Sequence, residues 1–226
     1  MSKLTIVPTP IGNLEDITLR GIRTLKESDF ILCEDTRVTR KLLNHYDIKV
    51  PTMSYHTHSS NIKVEKIREF LEEGKNLALV SDAGTPTISD PGSRLVSYIQ
   101  EELPEVEISA LPGASAVTTA ISISGFPASE FLFLGFLPHK KGRQTLFKKI
   151  SETNMTSVIY ESPHRILKAL SSLKEVLSED RKIAVCKELT KIHEEVVKGT
   201  VDNVIEYFNE NPDKVRGEFV VIIESV

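Results

Sequence analysis

With 226 residues, 40% of them hydrophobic, the chain is long enough for one large domain or two modest ones, each with its own core. No apolar run reaches membrane-spanning length, the start MSKLTIVPTP lacks the basic region and apolar core of a leader, and Cys33 and Cys186 are too few for a disulfide framework or a zinc cluster. These features predict a cytoplasmic protein with two inert buried thiols, and a net charge of −4 argues against a basic coat over the whole surface.

Short β-branched runs alternate with segments of helical period, which predicts an α/β architecture. In chain order the first half offers the strands LTIV, DFILC, PTMSY, NLALV and VEISAL, with helices over about 17–27, 37–46, 61–73, 91–102 and 114–124. Five such units predict a mainly parallel five-stranded sheet. The segment GFPASEF breaks the pattern, so a hinge is placed across 113–130, dividing the chain into domains 1–113 and 114–226. The second domain offers FLFLGFL, a basic helix 142–153, TSVIYE, a helix 163–178, KIAVCKEL, HEEVVKGT, a short helix 201–209 and GEFVVIIES. Its last three strands leave no room for long crossovers, which predicts a mixed sheet.

Ligands of open α/β sheets collect at the carboxyl ends of the strands, and the residues there are distinctive. LALV is followed by SDAGTPTISDPG, twelve residues with two Asp, two Pro and two Gly and no Lys or Arg. Asp90 followed by Pro91 reads as an N-cap with proline in the first helical turn. A phosphate-cradling loop normally carries a lysine, whereas Asp82 at the end of this strand would repel a polyphosphate. A ligand that is both cation and anion fits better, with Asp82 taking the positive group and backbone N–H groups the carboxylate. The loop LPGASA again opens a helix without positive charge. On loop chemistry alone, two ordinary strand-to-helix turns remain the alternative.

The motifs VPTPIGNLEDIT, EDTR, SDAGTPTISDPG, LPGASA, GFLP, YESPHR, KELTK and RGEFVVII, in this order and spanning essentially the whole chain, resemble the tetrapyrrole methylase superfamily, and within it the branch that methylates ribosomal RNA. The resemblance implies a two-domain class III methyltransferase, a homodimer, with S-adenosylmethionine (SAM) in a cleft between the domains. It also implies a substrate, the 2′-hydroxyl of a cytidine in the decoding region of 16S rRNA within the 30S subunit. Carried over by motif, the SAM contacts are Pro10, Ile11 and Gly12, then Asp82, Gly84 and Thr85, then Ser115 and Ala116. Tyr160, Lys187, Gly217 and Glu218 would close the adenine side. SAM is a sulfonium with an ammonium and a carboxylate, in agreement with the charge argument. Many relatives continue into a small carboxy-terminal extension where this sequence stops at Val226, so RNA would be held without it or with a partner's help.

Methyl transfer to a ribose oxygen is an in-line displacement that benefits from a base or from a positive charge near the developing alkoxide. Glu34, Asp35 and Arg37 after the second strand are candidates, with Glu161, Arg165, Lys187 and Glu188 from the second domain. Salt bridges at strand ends are the alternative for each. The pair Glu34–Asp35 ranks first because it ends a buried strand at a desolvation cost. His56 and His58 in YHTH have no third ligand at metal spacing, so no metal site is expected.

The halves carry 13 Lys+Arg against 17 Asp+Glu and 15 against 15, so a basic face is expected in the second. The run His139-Lys140-Lys141-Gly142-Arg143, continuing to Lys148 and Lys149, is its strongest local feature; with Arg165 it is assigned to RNA phosphates, a solvated helix face being the alternative. Two other functions stay open on the residues: a methylase of a small tetrapyrrole, and a non-catalytic module that binds SAM or RNA.

Overall fold

In a computed structural model the protein is described over residues 2–56 and 61–226, which pack as two compact units divided between Ser115 and Ala116. His58 lies outside the described residues.

The first unit alternates strands and helices as the sequence predicts: β1 (Lys3–Ile6), α1 (Leu19–Glu27), β2 (Phe30–Cys33), α2 (Thr36–His45), β3 (Thr52–Ser54), α3 (Asn61–Glu72), β4 (Asn76–Leu79), α4 (Ser93–Glu102) and β5 (Glu107–Ala110). All strand pairings are parallel, in the order β3-β2-β4-β1-β5. The central strands are apolar at consecutive positions because both faces are covered. Leu32, Leu77 and Leu79 pack with Ile67, Phe70, Leu95 and Ile99, while Ile31, Cys33 and Ala78 pack with Leu25, Leu42 and Leu43. Burying one such aliphatic side chain stabilises the fold by roughly 1.5–3 kcal/mol.

The order of strands decides where a ligand can enter. The chain leaves β1 toward β2 in one direction and leaves β4 toward β5 in the other, so the adjacent ends of β1 and β4 form the topological switch point of the sheet.

One local expectation is overturned. The helix after β4 begins at Ser93, and its N-cap is Gly92 with φ of +133° and no side-chain cap bond, not Asp90. A left-handed Gly92 cannot lie within a helix, so Asp90 and Pro91 fall in the turn before it.

The second unit comprises α5 (Ala116–Ser124), β6 (Phe131–Phe136), α6 (Arg143–Glu152), β7 (Thr156–Glu161), α7 (Ile166–Lys174), β8 (Lys182–Lys187), β9 (Glu195–Thr200), α8 (Val201–Glu210) and β10 (Phe219–Ile223). Its sheet has the order β6-β7-β10-β8-β9 and is mixed: β6 and β7 run parallel, whereas β10 is antiparallel to both of its neighbours and β8 to β9. One face holds Ile159, Val185 and Val221 against Phe147, Leu170 and Val204 of α6, α7 and α8. The other face receives α5, which packs on β10 and β8. A reciprocal capping box between Thr200 and Asn203 starts α8 directly at the end of β9. Cys33 and Cys186 are free and buried, and burial pushes the Cys186 thiol up to about 12, so neither is a thiolate at neutral pH. Among the described residues no helix is long and apolar enough to cross a membrane.

Candidate functional site

Three loops at the carboxyl ends of β1, β4 and β5 are knitted together. Thr9 and Gly84 form an isolated antiparallel bridge, with Thr9 N–H donating to Gly84 O at 2.9 Å and Gly84 N–H to Thr9 O at 3.0 Å. The hydroxyl of Thr85 donates to Ala114 O at 3.0 Å. Gly113 lies so close to Pro8 that an added Cβ would stand 2.5 Å from the Pro8 Cβ. Gly84 has φ of +80°, which a side chain would strain. The residues predicted as Pro10-Ile11-Gly12, Asp82-Gly84-Thr85 and Ser115 therefore belong to a single rim at the switch point. Pro10 and Ile11 turn their side chains inward and are buried, leaving Gly12 exposed. Gly84 and Gly113, in the second and third loops, serve this loop-to-loop packing.

The loop after β4 is also strained. Thr87 and Ser89 have φ of +75° and +61°, a left-handed conformation costly for residues with a Cβ, and Gly92 follows. Such strain persists only where surrounding structure imposes it and gathers at functional loops.

Beside this rim, Glu34, Asp35, Arg37 and Asp82 line a shallow depression of about 550 Å³ with Thr36, Ser54 and His56. Their roles differ. Asp35 caps α2: its Oδ1 accepts the Arg37 N–H at 2.8 Å, and the Arg37 guanidinium grips the same carboxylate at 2.6 Å. The Arg37 hydrogen bonds hold the Asp35 carboxyl down at about 2, so it is a fixed anion and a poor base. Asp82 Oδ1 accepts the backbone N–H of Asp35 at 3.0 Å, which holds the carboxylate that follows β4 toward the start of α2. Burial raises the Asp82 carboxyl, the Asp35 N–H opposing it, and burial followed by the Asp82 charge raises Glu34. Asp90, missed by the sequence reading except as a cap, is pushed to about 6 by burial and then by Glu34, while a Ser81 hydrogen bond pulls it down. All three are raised first by burial, and a bound cation beside them would draw them down. Among the described residues, no group of three or more His, Cys, Asp or Glu side chains has metal-binding geometry.

In the second domain two more loops are locked together. Glu188, with φ of +50°, donates its N–H to Glu218 O and accepts the Glu218 N–H on Oε1, both at 2.9 Å. Lys191 joins the carboxylates of Glu188 at 2.9 Å and Glu218 at 2.8 Å. Burial raises the Glu188 carboxyl, but the Lys191 and Glu218 hydrogen bonds outweigh it and leave it low, so Glu188 is committed to holding the loops. Gly217 has φ of +83°, and a side chain there would run into the Glu188 carboxylate. Lys187, Glu188 and Gly217 line a depression of about 520 Å³ that also includes Lys214 and Arg216. Tyr160 does not join them. Lys187 and Glu161 both pair with Phe219, whereas Tyr160 pairs with Val220, one residue along, so the Lys187 and Tyr160 side chains leave opposite faces of the sheet. Tyr160 shares its face with α5.

The basic run divides as well. Lys140, Lys141, Lys148 and Lys149 are exposed, Lys148 beside Glu152 at 3.6 Å. Arg143 is buried and is not a surface phosphate ligand: it bonds Glu161 Oε1 at 3.1 Å, and Arg165 bonds the same oxygen at 2.8 Å. Glu161 is 1% exposed, and its second oxygen accepts the Ser162 N–H at 3.1 Å. These three groups form an internal ion cluster, which explains a charged residue at the end of a buried strand without catalysis.

The family profile described as Tetrapyrrole (Corrin/Porphyrin) Methylases matches residues 3–205. The chain belongs to the tetrapyrrole methylase family. Membership makes it a methyltransferase, and curated relatives agree over its full length. It is 47% identical over 225 residues to the Thermotoga maritima protein named ribosomal RNA small subunit methyltransferase I, covering 100% of this chain and 99% of that one. A Bacillus subtilis protein of the same name is 47% identical, covering 100% of this chain and 76% of its own length. Among solved structures, the cobalt precorrin-4 methyltransferase CbiF matches with a TM-score of 0.72 at 19% identity over 98% of this chain and 94% of that chain. A uroporphyrin-III-C-methyltransferase from Thermus thermophilus matches with a TM-score of 0.68 at 15% identity over 98% and 94%. At such identities these two speak for the fold alone. For a family member, the rim at the switch point is the natural place to look for the methyl donor.

Proposed function

We propose that the protein is a SAM-dependent methyltransferase of small-subunit ribosomal RNA that acts on the ribose 2′-hydroxyl of a cytidine in the 16S decoding region, presented by the 30S particle, and that it works in the cytoplasm as a homodimer. The observation that carries the donor assignment is the Asp82 carboxylate, held by the Asp35 N–H beside loops after β1, β4 and β5 that contribute backbone N–H groups and no Lys or Arg, the nearby Arg37 being taken up by Asp35. This donor set fits a ligand with an ammonium and a carboxylate and disfavours a polyphosphate. The full-length likeness to relatives named for ribosomal RNA supports the substrate.

When bound, SAM supplies a methyl group on a sulfonium, transferred to the ribose oxygen as that hydroxyl loses its proton. Asp82 takes the ammonium, and the rim of Pro10, Ile11, Gly12, Gly84, Thr85, Ser115 and Ala116 shapes the wall around the donor. From the second domain Tyr160 serves the adenine; Gly217 lies with Lys187 in the other depression, and the Glu218 N–H and carbonyl are taken up by Glu188. Glu34 is the residue we assign to the ribose proton: burial keeps its carboxyl above the ordinary value, and no hydrogen bond draws it down as Arg37 does Asp35. Lys140, Lys141, Lys148 and Lys149, all exposed, remain as phosphate contacts.

Radiolabelled SAM offered with 30S particles, naked 16S rRNA or a precorrin tests this reading. Label is expected in the RNA of the particle, in a nuclease-resistant 2′-O-methyl dinucleotide. Label in the precorrin and none in RNA would overturn it.

A further inference from the structure

The phenylalanines that pack on Tyr160 in the second domain have no role in the reading above. On edge strand β6, Phe131 and Phe136 are 41% and 59% exposed. Residues three apart on a regular strand point to opposite faces, but the pairing of β6 with β7 is interrupted between Phe133 and Gly135, where Gly135 takes φ of +60°. The bulge turns both Phe133 and Phe136 toward Tyr160, with ring centroids at 5.1 and 5.3 Å and interplanar angles of 69° and 61°. Tyr160 thus buttresses Phe136 edge-on and leaves the Phe136 ring open to solvent on a rigid strand.

The chain then continues through Leu137 and Pro138 to His139, Lys140 and Lys141, all three exposed, and no Asp or Glu occurs from Phe131 to Ser151. Among the described residues no ion pair holds Lys140 or Lys141. Four residues of chain put Lys140 within about 14 Å of Phe136. A preorganised aromatic face with uncompensated cations beside it suits a ligand that presents flat rings along an anionic strand. A purely apolar partner would gain nothing from the two lysines.

We propose that Phe136 is a base-stacking platform for the single-stranded segment of ribosomal RNA that flanks the methylated nucleotide, with Lys140 and Lys141 on its phosphates. The assignment rests on the RNA reading of the protein and adds to it a stacking residue for that substrate.

The test uses the full chain, with Phe136→Ala, Phe136→Leu and Phe136→Trp variants, and a fluorescein-labelled single-stranded RNA of decoding-region sequence read by anisotropy at fixed salt. Stacking predicts a loss of RNA affinity of roughly 5- to 150-fold for Phe136→Ala, little recovery for Phe136→Leu and recovery for Phe136→Trp. SAM affinity by calorimetry stays at the wild-type value for Phe136→Leu, which keeps an apolar side chain against Tyr160. Unchanged RNA binding by Phe136→Ala overturns the proposal. So does a loss of SAM affinity in Phe136→Leu, which would make Phe136 an adenine contact, or a lower sedimentation mass, which would make it an interface between copies. If wild type binds RNA through Phe136 yet methylates none, the proposed reaction fails and the platform stands.

Discussion

The backbone N–H of Asp35 donates to Oδ1 of Asp82 across 3.0 Å, so the cap of α2 and the end of β4 are tied through one carboxylate. This arrangement leaves the Asp82 charge to be matched by a ligand. Asp82→Asn keeps the shape and removes the charge. SAM binding by calorimetry should weaken about 10- to 150-fold, as expected for a hydrogen bond to a charged group, while the thermal midpoint stays near wild type. An Asp82→Asn protein that binds SAM as wild type does would remove Asp82 from the donor site.

Proton coupling gives a second prediction. Asp90, Asp82 and Glu34 have carboxyls raised in the folded protein, Asp90 to about 6. A raised carboxyl favours the fold at low pH, and that contribution is lost as pH climbs from the unfolded value near 4 through about 6. A bound cation draws the same carboxyls down, so SAM binding should release protons below pH 7, with affinity rising from pH 5 to 7 and level above. Calorimetry at pH 6 in buffers of different ionisation enthalpy measures the release. Asp90→Asn should raise stability at pH 8 by about 1 kcal/mol after allowance for solvent screening, and little at pH 5.

Gly113→Ala tests the knitted rim. The new Cβ at 2.5 Å from Pro8 must push two loops apart, at a cost of roughly 1–3 kcal/mol. The midpoint in urea should fall, and SAM affinity should fall with it because the loops that move belong to the donor site. Gly74→Ala is the control: its φ is +85° but an added Cβ meets no neighbour within 4 Å, so it should cost stability and leave SAM affinity alone.

Charge reversal separates the buried from the exposed basic residues. Glu161→Ala leaves the Arg143 and Arg165 guanidiniums without their shared carboxylate and should cost about 3–5 kcal/mol in denaturant titrations. Lys140→Glu and Lys141→Glu should change stability by no more than about 0.5 kcal/mol, yet weaken RNA binding and flatten its salt dependence.

Much of the architecture was legible because it rests on local patterns. Strands such as FILC are apolar at consecutive positions and could be recognised as buried on both faces, and the crowding of the last three strands pointed to a mixed sheet. Contacts between distant residues were not legible. Arg143 sits in a run of exposed lysines, and nothing nearby signals that Glu161, eighteen positions later, draws it inside. Asp90-Pro91 satisfies every local rule for a helix start, but the left-handed Gly92 beyond it moves the start to Ser93. Motif matching placed Tyr160 and Lys187 on one ligand, whereas strand register sends their side chains to opposite faces. For Asp82, local chemistry suggested the charge, and only the fold supplied the Asp35 N–H that holds it.

Strand β10 lies between β7 and β8, so the second sheet is completed from its middle by residues 219–223. During synthesis the first unit has all five of its strands once residue 110 has emerged, and it can close early. The second unit must wait with β7 and β8 each exposing an unpaired edge until the late strand arrives. A nascent chain stalled before residue 219 should therefore carry one protease-resistant domain followed by a segment dependent on chaperones, which makes the order of translation part of how this protein reaches its working form.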